Sequence, residues 1–238
     1  MTNNSCGVFY GAGVGPGDPE LITLKTLRIL QKSPVIAVPK ANDESSSVAL
    51  GIAKKALRLD GKEILELSLP MTKNAAELAT AREKAADEIA KRLKQNLDVV
   101  FITLGDPMLY STFSYFVPLL KEKLPSLKVS VSAGVTSFSS AAAALMLPLA
   151  EGEGRVAIIP ASYGQEDIER TLDGFDTIIF MKVHKAIDRL VDLLRARGLD
   201  KNAYFISKAG WDSEEIETDI RKLKGVKHGY FSMLIVKK

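Results

Sequence analysis

The 238-residue sequence holds one cysteine, Cys6, two histidines, His184 and His228, and one tryptophan, Trp211. A single cysteine excludes an intramolecular disulfide. One thiol and two distant imidazoles fall short of the three or four ligands of a zinc site, so no protein-bound metal is expected. Charge of one sign is scarce as well: 32 Lys and Arg against 29 Asp and Glu leave +3. That balance implies no nucleic-acid partner. Long apolar runs are absent. The longest small-and-apolar run, residues 139–150, is about half of the ~20 residues a membrane span needs and contains Pro148. Met1 to Ser5 is polar and lacks the basic and apolar regions of a secretory leader, so a cytoplasmic setting and no membrane partner are expected. With 46% apolar and 26% charged residues, the chain has globular composition. Its length suits one large domain or two small ones and buries a sizeable core.

Apolar, β-branched runs alternate with helix-period stretches from end to end. Strands are expected at residues 7–13, 34–39, 63–69, 98–104, 128–133, 155–160, 177–183, 203–207 and 230–236. Between them, residues 19–31 place Leu21, Leu24, Leu27 and Leu30 on one helical face. Residues 74–94 open with Asn74 and Glu77 in capping-box spacing, with Leu78, Ala85, Ile89 and Leu93 inward. Residues 185–197 carry Ile187, Leu190, Val191 and Leu194 in register. The alternation implies an α/β fold with largely parallel sheets and a ligand at the carboxyl ends of strands. The seam between two domains falls near Gly134, giving 1–134 and 135–238.

Four strand ends carry the chemistry. The first runs into Gly11-Ala12-Gly13-Val14-Gly15-Pro16-Gly17-Asp18-Pro19 before a helix. Strand, glycine turn and helix form the usual phosphate cradle, yet neither the dinucleotide nor the Walker spacing is met, and Asp18 sets a negative charge where a phosphate would lie. A tight turn with Pro16 and Pro19 leading into the helix explains the same residues. The second end is Gly105-Asp106-Pro107-Met108-Leu109-Tyr110. Here Asp106 suits a ligand hydroxyl or a cation, or serves as a helix N-cap with Pro107 at N1. The third is Ala133-Gly134-Val135-Thr136-Ser137, whose hydroxyls cap a helix or meet a ligand. The fourth is Phe180-Met181-Lys182-Val183, where a methionine ordinarily packs in the core.

Taken in order, these segments resemble the tetrapyrrole methylase family. The resemblance rests on GAGVGPGDPELITLKTLRIL, LGDPMLYSTF, SAGVTSFSSAAAALMLPLAEGE, FMKV, AYFISKAG and the terminal YFSMLIVKK, and it spans nearly the whole chain. Within the family, GDPMLYSTF, PLAEGE and YFSMLIV look most like the branch that methylates carbon 20 of precorrin-2 or cobalt-precorrin-2 (or cobalt-factor II) in cobalamin biosynthesis. The resemblance implies two α/β domains with S-adenosylmethionine (SAM) in a cleft between them, and a homodimer. One departure stands out: the family usually has proline where this chain has Ala133, which frees a backbone angle and loosens the third loop.

By the same resemblance, Gly105, Asp106, Leu109, Thr136, Ser137, Met181, Ala209, Gly210 and Ser232 line SAM. Pro16 and Gly17 face the tetrapyrrole, and Asp18 and Tyr110 stand near the methyl-transfer point as candidate bases, with Asp106 a third. The substrate's rim carboxylates suggest Lys40, Lys182, His184 and Lys208, by strand-end position, as cationic partners; the ordinary role of each lysine is a solvated charge. Trp211 either packs on the porphyrinoid or fills the core, and Cys6 is inert. The rivals are a family member acting at another ring position, on RNA or on a diphthamide precursor, and a nucleotide-binding module without turnover. An RNA substrate demands a continuous basic stripe. The clusters at 54–55, 91–94 and 221–227 are separate and mixed with acids.

Overall fold

A computed structural model of the chain describes residues 6–40, 47–70, 72 and 74–238; the polar amino-terminal stretch 1–5 lies outside the described residues. The chain divides into two units, Met1–Thr136 and Ser137–Lys238.

In the first unit the elements run β1 (Phe9–Gly13), α1 (Leu24–Lys32), β2 (Val35–Lys40), α2 (Val48–Ala56), β3 (Glu63–Ser68), α3 (Ala75–Lys94), β4 (Val99–Thr103), α4 (Phe113–Lys123) and β5 (Val129–Ser132). The sheet order is β3-β2-β4-β1-β5 and every pairing is parallel. Alternate residues of the strands face opposite layers, as the pleat requires. Phe9, Val35, Ala37 and Phe101 pack on Ile89 and Leu93 of α3 and on Phe113 and Phe116 of α4. Ala12, Ile36, Val38, Val100 and Ile102 pack on Leu30 of α1 and Leu50 of α2. Helices α1 and α4 therefore leave the adjacent strands β1 and β4 toward opposite faces. Their loops part at the carboxyl ends of those strands, which is the switch point where such sheets bind ligands.

The expected helix 19–31 is two pieces. Pro19–Leu21 forms one 3-10 turn, and Thr23 then caps α1 by accepting the Thr26 N–H at 3.2 Å. Leu24 is consequently 69% exposed, and the inward face of α1 is Thr26 and Leu30. The proposed start of α3 is observed: Asn74 Oδ1 accepts from the amides of Ala76 and Glu77. The amide of Asn74 itself donates to Thr72 Oγ1 at 3.1 Å, the bond a capping box would give to Glu77.

The second unit runs α5 (Ser137–Ala144), β6 (Val156–Pro160), α6 (Gln165–Gly174), β7 (Thr177–Met181), α7 (Ile187–Ala196), β8 (Ala203–Ser207), β9 (Glu215–Glu217) and β10 (Ser232–Lys237), with sheet order β6-β7-β10-β8-β9. Only β6 and β7 pair in parallel; β10 enters antiparallel between β7 and β8, and β9 is antiparallel to β8. This corrects the expectation of largely parallel sheets. β10 runs in the same sense as β9, both being antiparallel to β8, and the chain passes between them through a 3-10 turn at Ile220–Leu223. Strand β9 was missed because its three residues, Glu-Ile-Glu, present no apolar run. One face packs Ile187, Leu190, Val191 and Leu194 of α7 against Phe180, Phe205 and Leu234. The other packs Ala141 of α5 against Ile179, Ile206, Met233 and Ile235.

Candidate functional site

In the first unit three loops meet at the ends of β4, β1 and β5. The Gly105 amide donates to the Gly15 carbonyl at 2.9 Å, closing a bridge between the first and second loops. The Gly105 carbonyl then lies against both flanking strand ends. A Cβ on Gly13 would stand 2.2 Å from that oxygen, and one on Gly134 would stand 2.0 Å from it. No larger residue fits at either place without moving backbone. Gly105 itself has φ +64°, and a Cβ there would meet nothing closer than 3.9 Å. Its α-carbon thus borders open space, walled by Thr136 and Val135, while its backbone angle excludes most side chains.

Asp106 locks the second loop to the third. Its Oδ1 accepts the Met108 amide and its Oδ2 accepts the Gly134 amide, both at 2.8 Å. Asp106 is therefore no helix N-cap: it opens a turn, and α4 begins only at Phe113. Each carboxylate oxygen retains lone-pair capacity for a further donor, such as a ribose hydroxyl or an ammonium. The third loop is also held from α1. The Thr26 hydroxyl, fully buried, donates to Ser132 Oγ at 2.9 Å, and Lys25 Nζ donates to the Val131 carbonyl at 2.9 Å. Thr26 was invisible as a site-shaping residue, although a hydroxyl on the apolar face of a helix is the available signal.

Pro16 and Gly17, within the first loop, are buried, and Asp18 Oδ1 accepts the Glu20 amide at 2.8 Å. Tyr110 adopts φ +50° and is 53% exposed, and Leu109 beside it is half-buried. Lys40 is drawn to the neighbouring edge strand, where it pairs with Glu66 at 2.8 Å. Thr136 ends the first unit, and Ser137 begins α5 in the second.

In the second unit the remaining predicted residues gather at one end of the sheet, where Met181 pairs with Met233 and Ser207 with Ser232. The Met181 carbonyl accepts the Ala161 amide at 2.8 Å, and the Met181 side chain packs on the α5 layer. Ala209 and Ser232 are buried, the latter donating its hydroxyl to the Gly229 carbonyl at 2.7 Å. The Gly210 amide donates to Glu214 Oε2 at 2.7 Å, so Gly210 (φ +80°) shapes a tight turn that Glu214 closes. Lys182 and Lys208 follow β7 and β8 in left-handed conformations, φ 58° and 53°. His184 lies in a 3-10 turn ahead of α7. Trp211 is half-buried and packs on Phe231 with ring centroids 5.4 Å apart, which places it at the surface and not in the core.

SAM requires close backbone approach, acceptors for hydroxyl and ammonium groups, and apolar walls for a purine. The glycine cradle at Gly105 and the carboxylate of Asp106 supply the first two. Within the first unit, these residues fit the polar parts of the group. Among the described residues, no three or more His, Cys, Asp or Glu side chains are placed to hold a metal ion, and no helix is long and apolar enough to cross a membrane.

The family model of the tetrapyrrole (corrin/porphyrin) methylases matches residues 8–224. A probable cobalt-precorrin-2 C(20)-methyltransferase of Methanocaldococcus jannaschii is 37% identical over 96% of this chain and 95% of its own. The cobalt-precorrin-2 C(20)-methyltransferase of Salmonella typhimurium is 30% identical over 98% and 97%. Among solved structures, a cobalt precorrin-4 methyltransferase superposes with TM-score 0.71 at 22% identity, covering 96% of this chain and 94% of its own. The uroporphyrin-III C-methyl transferase of Thermus thermophilus complexed with S-adenosylhomocysteine superposes with TM-score 0.69 at 20% identity, covering 97% and 92%. By its sequence match and its fold, the chain belongs to the tetrapyrrole (corrin/porphyrin) methylase family.

Proposed function

We propose that the chain transfers a methyl group from SAM to carbon 20 of precorrin-2 or its cobalt-bound form, a step of cobalamin biosynthesis. The observation that carries this reading is the 37% identity, over nearly the full length of both chains, to a probable cobalt-precorrin-2 C(20)-methyltransferase.

SAM supplies a methyl group on a sulfonium that is already a good leaving group, so the chain needs no nucleophile of its own. The nucleophile is an electron-rich meso carbon of the substrate. The residues' task is to hold that carbon in line with the methyl, ~3–3.5 Å away, where pre-paid orientation lowers the barrier by several kcal/mol. Gly105 lets backbone approach the cofactor, and Asp106 accepts from its hydroxyl or ammonium groups. Leu109, Thr136, Ser137, Met181, Ala209, Gly210 and Ser232 complete its walls, Gly210 through the turn it forms with Glu214. Pro16 and Gly17 border the tetrapyrrole. Lys182, His184 and Lys208 meet its carboxylates, with Lys40 more remote because of its pairing with Glu66. The proton displaced from carbon 20 passes to Asp18 or Tyr110. A homodimer and a cytoplasmic setting complete this reading, and light scattering of the purified chain tests the first.

The test is anaerobic incubation with SAM and precorrin-2, metal-free and cobalt-loaded in parallel, followed by mass and visible spectrum. A gain of one methyl group on either form is expected, and the preferred form assigns the aerobic or anaerobic route. No methylation of either, with SAM binding intact, overturns the assignment.

A further inference from the structure

Aromatic residues make up only 7% of the sequence, and six of the nine phenylalanines are buried. One aromatic group reaches the surface as a connected set. At the head of β10, Tyr230 is 40% and Phe231 38% exposed. Their rings touch edge to face with centroids 5.3 Å apart. Trp211 continues the row on the Phe231 side at 5.4 Å, and His184 continues it on the Tyr230 side at 5.4 Å. Four rings from three separate segments thus form one contiguous row, successive planes inclined by 35°, 84° and 62°, so that single ring faces and not a common plane are presented. The Phe231 carbonyl anchors it by accepting the Lys208 amide at 2.7 Å.

Two cations stand beside the ladder. Lys182 places its ammonium 5.6 Å from the centre of the Tyr230 ring. Lys208 follows β8 on the other side of β10. Both hold left-handed backbone, a conformation that glycine adopts without strain and lysine does not. Strain kept at two strand ends that flank the same aromatic row is the pattern of a site and not of a solvated surface. Within the row, His184 Nδ1 is shielded from solvent and has no hydrogen-bond partner. A partly exposed π surface bordered by positive charge is complementary to a flat conjugated ring with anionic substituents. It complements neither a purely apolar partner nor a phosphate chain, which needs a longer basic track.

We infer that the Trp211–Phe231–Tyr230–His184 ladder is the platform on which the tetrapyrrole stacks, with Lys182 and Lys208 receiving its rim carboxylates. The inference rests on the tetrapyrrole reading above and adds the aromatic platform to it. It makes Phe231 and Tyr230 substrate-positioning residues.

Trp211, the only tryptophan, supplies the binding signal. Its fluorescence is titrated anaerobically with precorrin-2, metal-free and cobalt-loaded, with S-adenosylhomocysteine present to prevent turnover. Phe231→Leu keeps apolar bulk and removes the π face, and it should raise the dissociation constant for the tetrapyrrole about three- to tenfold. Phe231→Tyr should restore it, and the affinity for S-adenosylhomocysteine alone, by calorimetry, should not change in either variant. An unchanged tetrapyrrole affinity in Phe231→Leu, or an equal loss for S-adenosylhomocysteine, overturns the platform. If Phe231→Leu does not fold, Tyr230→Leu is read by the same criteria. A wild-type protein that binds neither form of precorrin-2 overturns the functional reading itself, an outcome separate from a wild type that binds and a variant that binds equally well.

Discussion

Replacing Gly134 with alanine adds one carbon where the three loops of the first unit meet. That carbon would lie 2.0 Å from the Gly105 carbonyl oxygen and 2.8 Å from the Gly13 α-carbon. Ordinary contact is more than 1 Å longer, and both neighbours are backbone, so no side chain can swing aside. The third loop must therefore move away from the second. The bond from the Gly134 amide to Asp106 Oδ2, 2.8 Å long, spans that gap and stretches with it. Overpacking costs about 1–3 kcal/mol and a hydrogen bond to a charged acceptor about 1.5–3. A loss of about 3 kcal/mol is near the low end of their sum. For a chain of this length it lowers the melting temperature by about 6–12 °C. Calorimetric melting and titration with S-adenosylhomocysteine, run on the same preparation, check both halves: a lower melting temperature and weaker binding. A variant that melts within about 2 °C of wild type and binds equally well would show that the three glycines do not interlock as described.

Three of the remaining expectations concern packing and one concerns pH. Gly51→Ala, in the middle of α2 with nothing within 4 Å of the added carbon, should stabilise by about 0.5–1 kcal/mol in denaturant titration. Gly105→Ala meets no clash but places a methyl in the open space beside Thr136 at φ +64°; it should cost about 1 kcal/mol of stability while weakening S-adenosylhomocysteine by about tenfold. Thr26→Val leaves the buried Ser132 hydroxyl only its 3.5 Å contact with Thr23 Oγ1 and should cost about 1–2 kcal/mol, part of which the added Ser132→Ala recovers in a double-mutant cycle. The Arg155 backbone N–H, 2.7 Å from Asp176 Oδ2, holds that carboxyl below its ordinary range. A depressed folded value means stability that is present above the unfolded pKa, about 4, and is lost as pH falls through the folded one; the advantage of wild type over Asp176→Asn should be level above pH 4 and shrink below it.

The parallel sheet of the first unit was legible because its strands alternate with helix-period stretches such as 19–31 and 74–94, and buried parallel strands read as continuous Val, Ile and Phe runs. The second sheet was legible in its elements and not in its topology. Residues 203–207 and 230–236 read as apolar strands, but nothing local tells whether the last strand joins an edge or enters between β7 and β8. The glycine loops announced a site without saying what each glycine does. Gly11, Gly13, Gly15 and Gly17 look alike in sequence, yet a Cβ would strike the Phe113 ring at Gly11 and the Gly105 carbonyl at Gly13, while Gly15 requires φ +76°. Asp106 was visible as a chemical group. Its bond to Gly134 was not, because it spans 28 residues. The aromatic ladder draws on residues 184, 211, 230 and 231, and only the antiparallel insertion of β10 brings them together.

The two units are built in chemically different ways, and this sets what each tolerates. The first unit offers mainly backbone. Its loops approach one another because Gly13 and Gly134 have no side chain, and Asp106 spends two of its acceptor positions holding amides in place. Adding atoms there is harmful, because a carbon placed against a carbonyl has no empty volume to enter. The second unit offers mainly side chains: rings at 211, 230 and 231 and cations at 182 and 208, partly exposed and standing on a fixed sheet. Enlarging one of these displaces little, whereas truncating one removes a stacking surface or a charge. A substitution scan read separately for stability and for binding should therefore divide at Thr136. Before it, small-to-large changes at the loop glycines impair both properties together. After it, large-to-small changes in the ladder impair binding of the tetrapyrrole and leave the melting temperature nearly unchanged. This asymmetry follows from geometry alone, and it would fail if the ladder were part of the core.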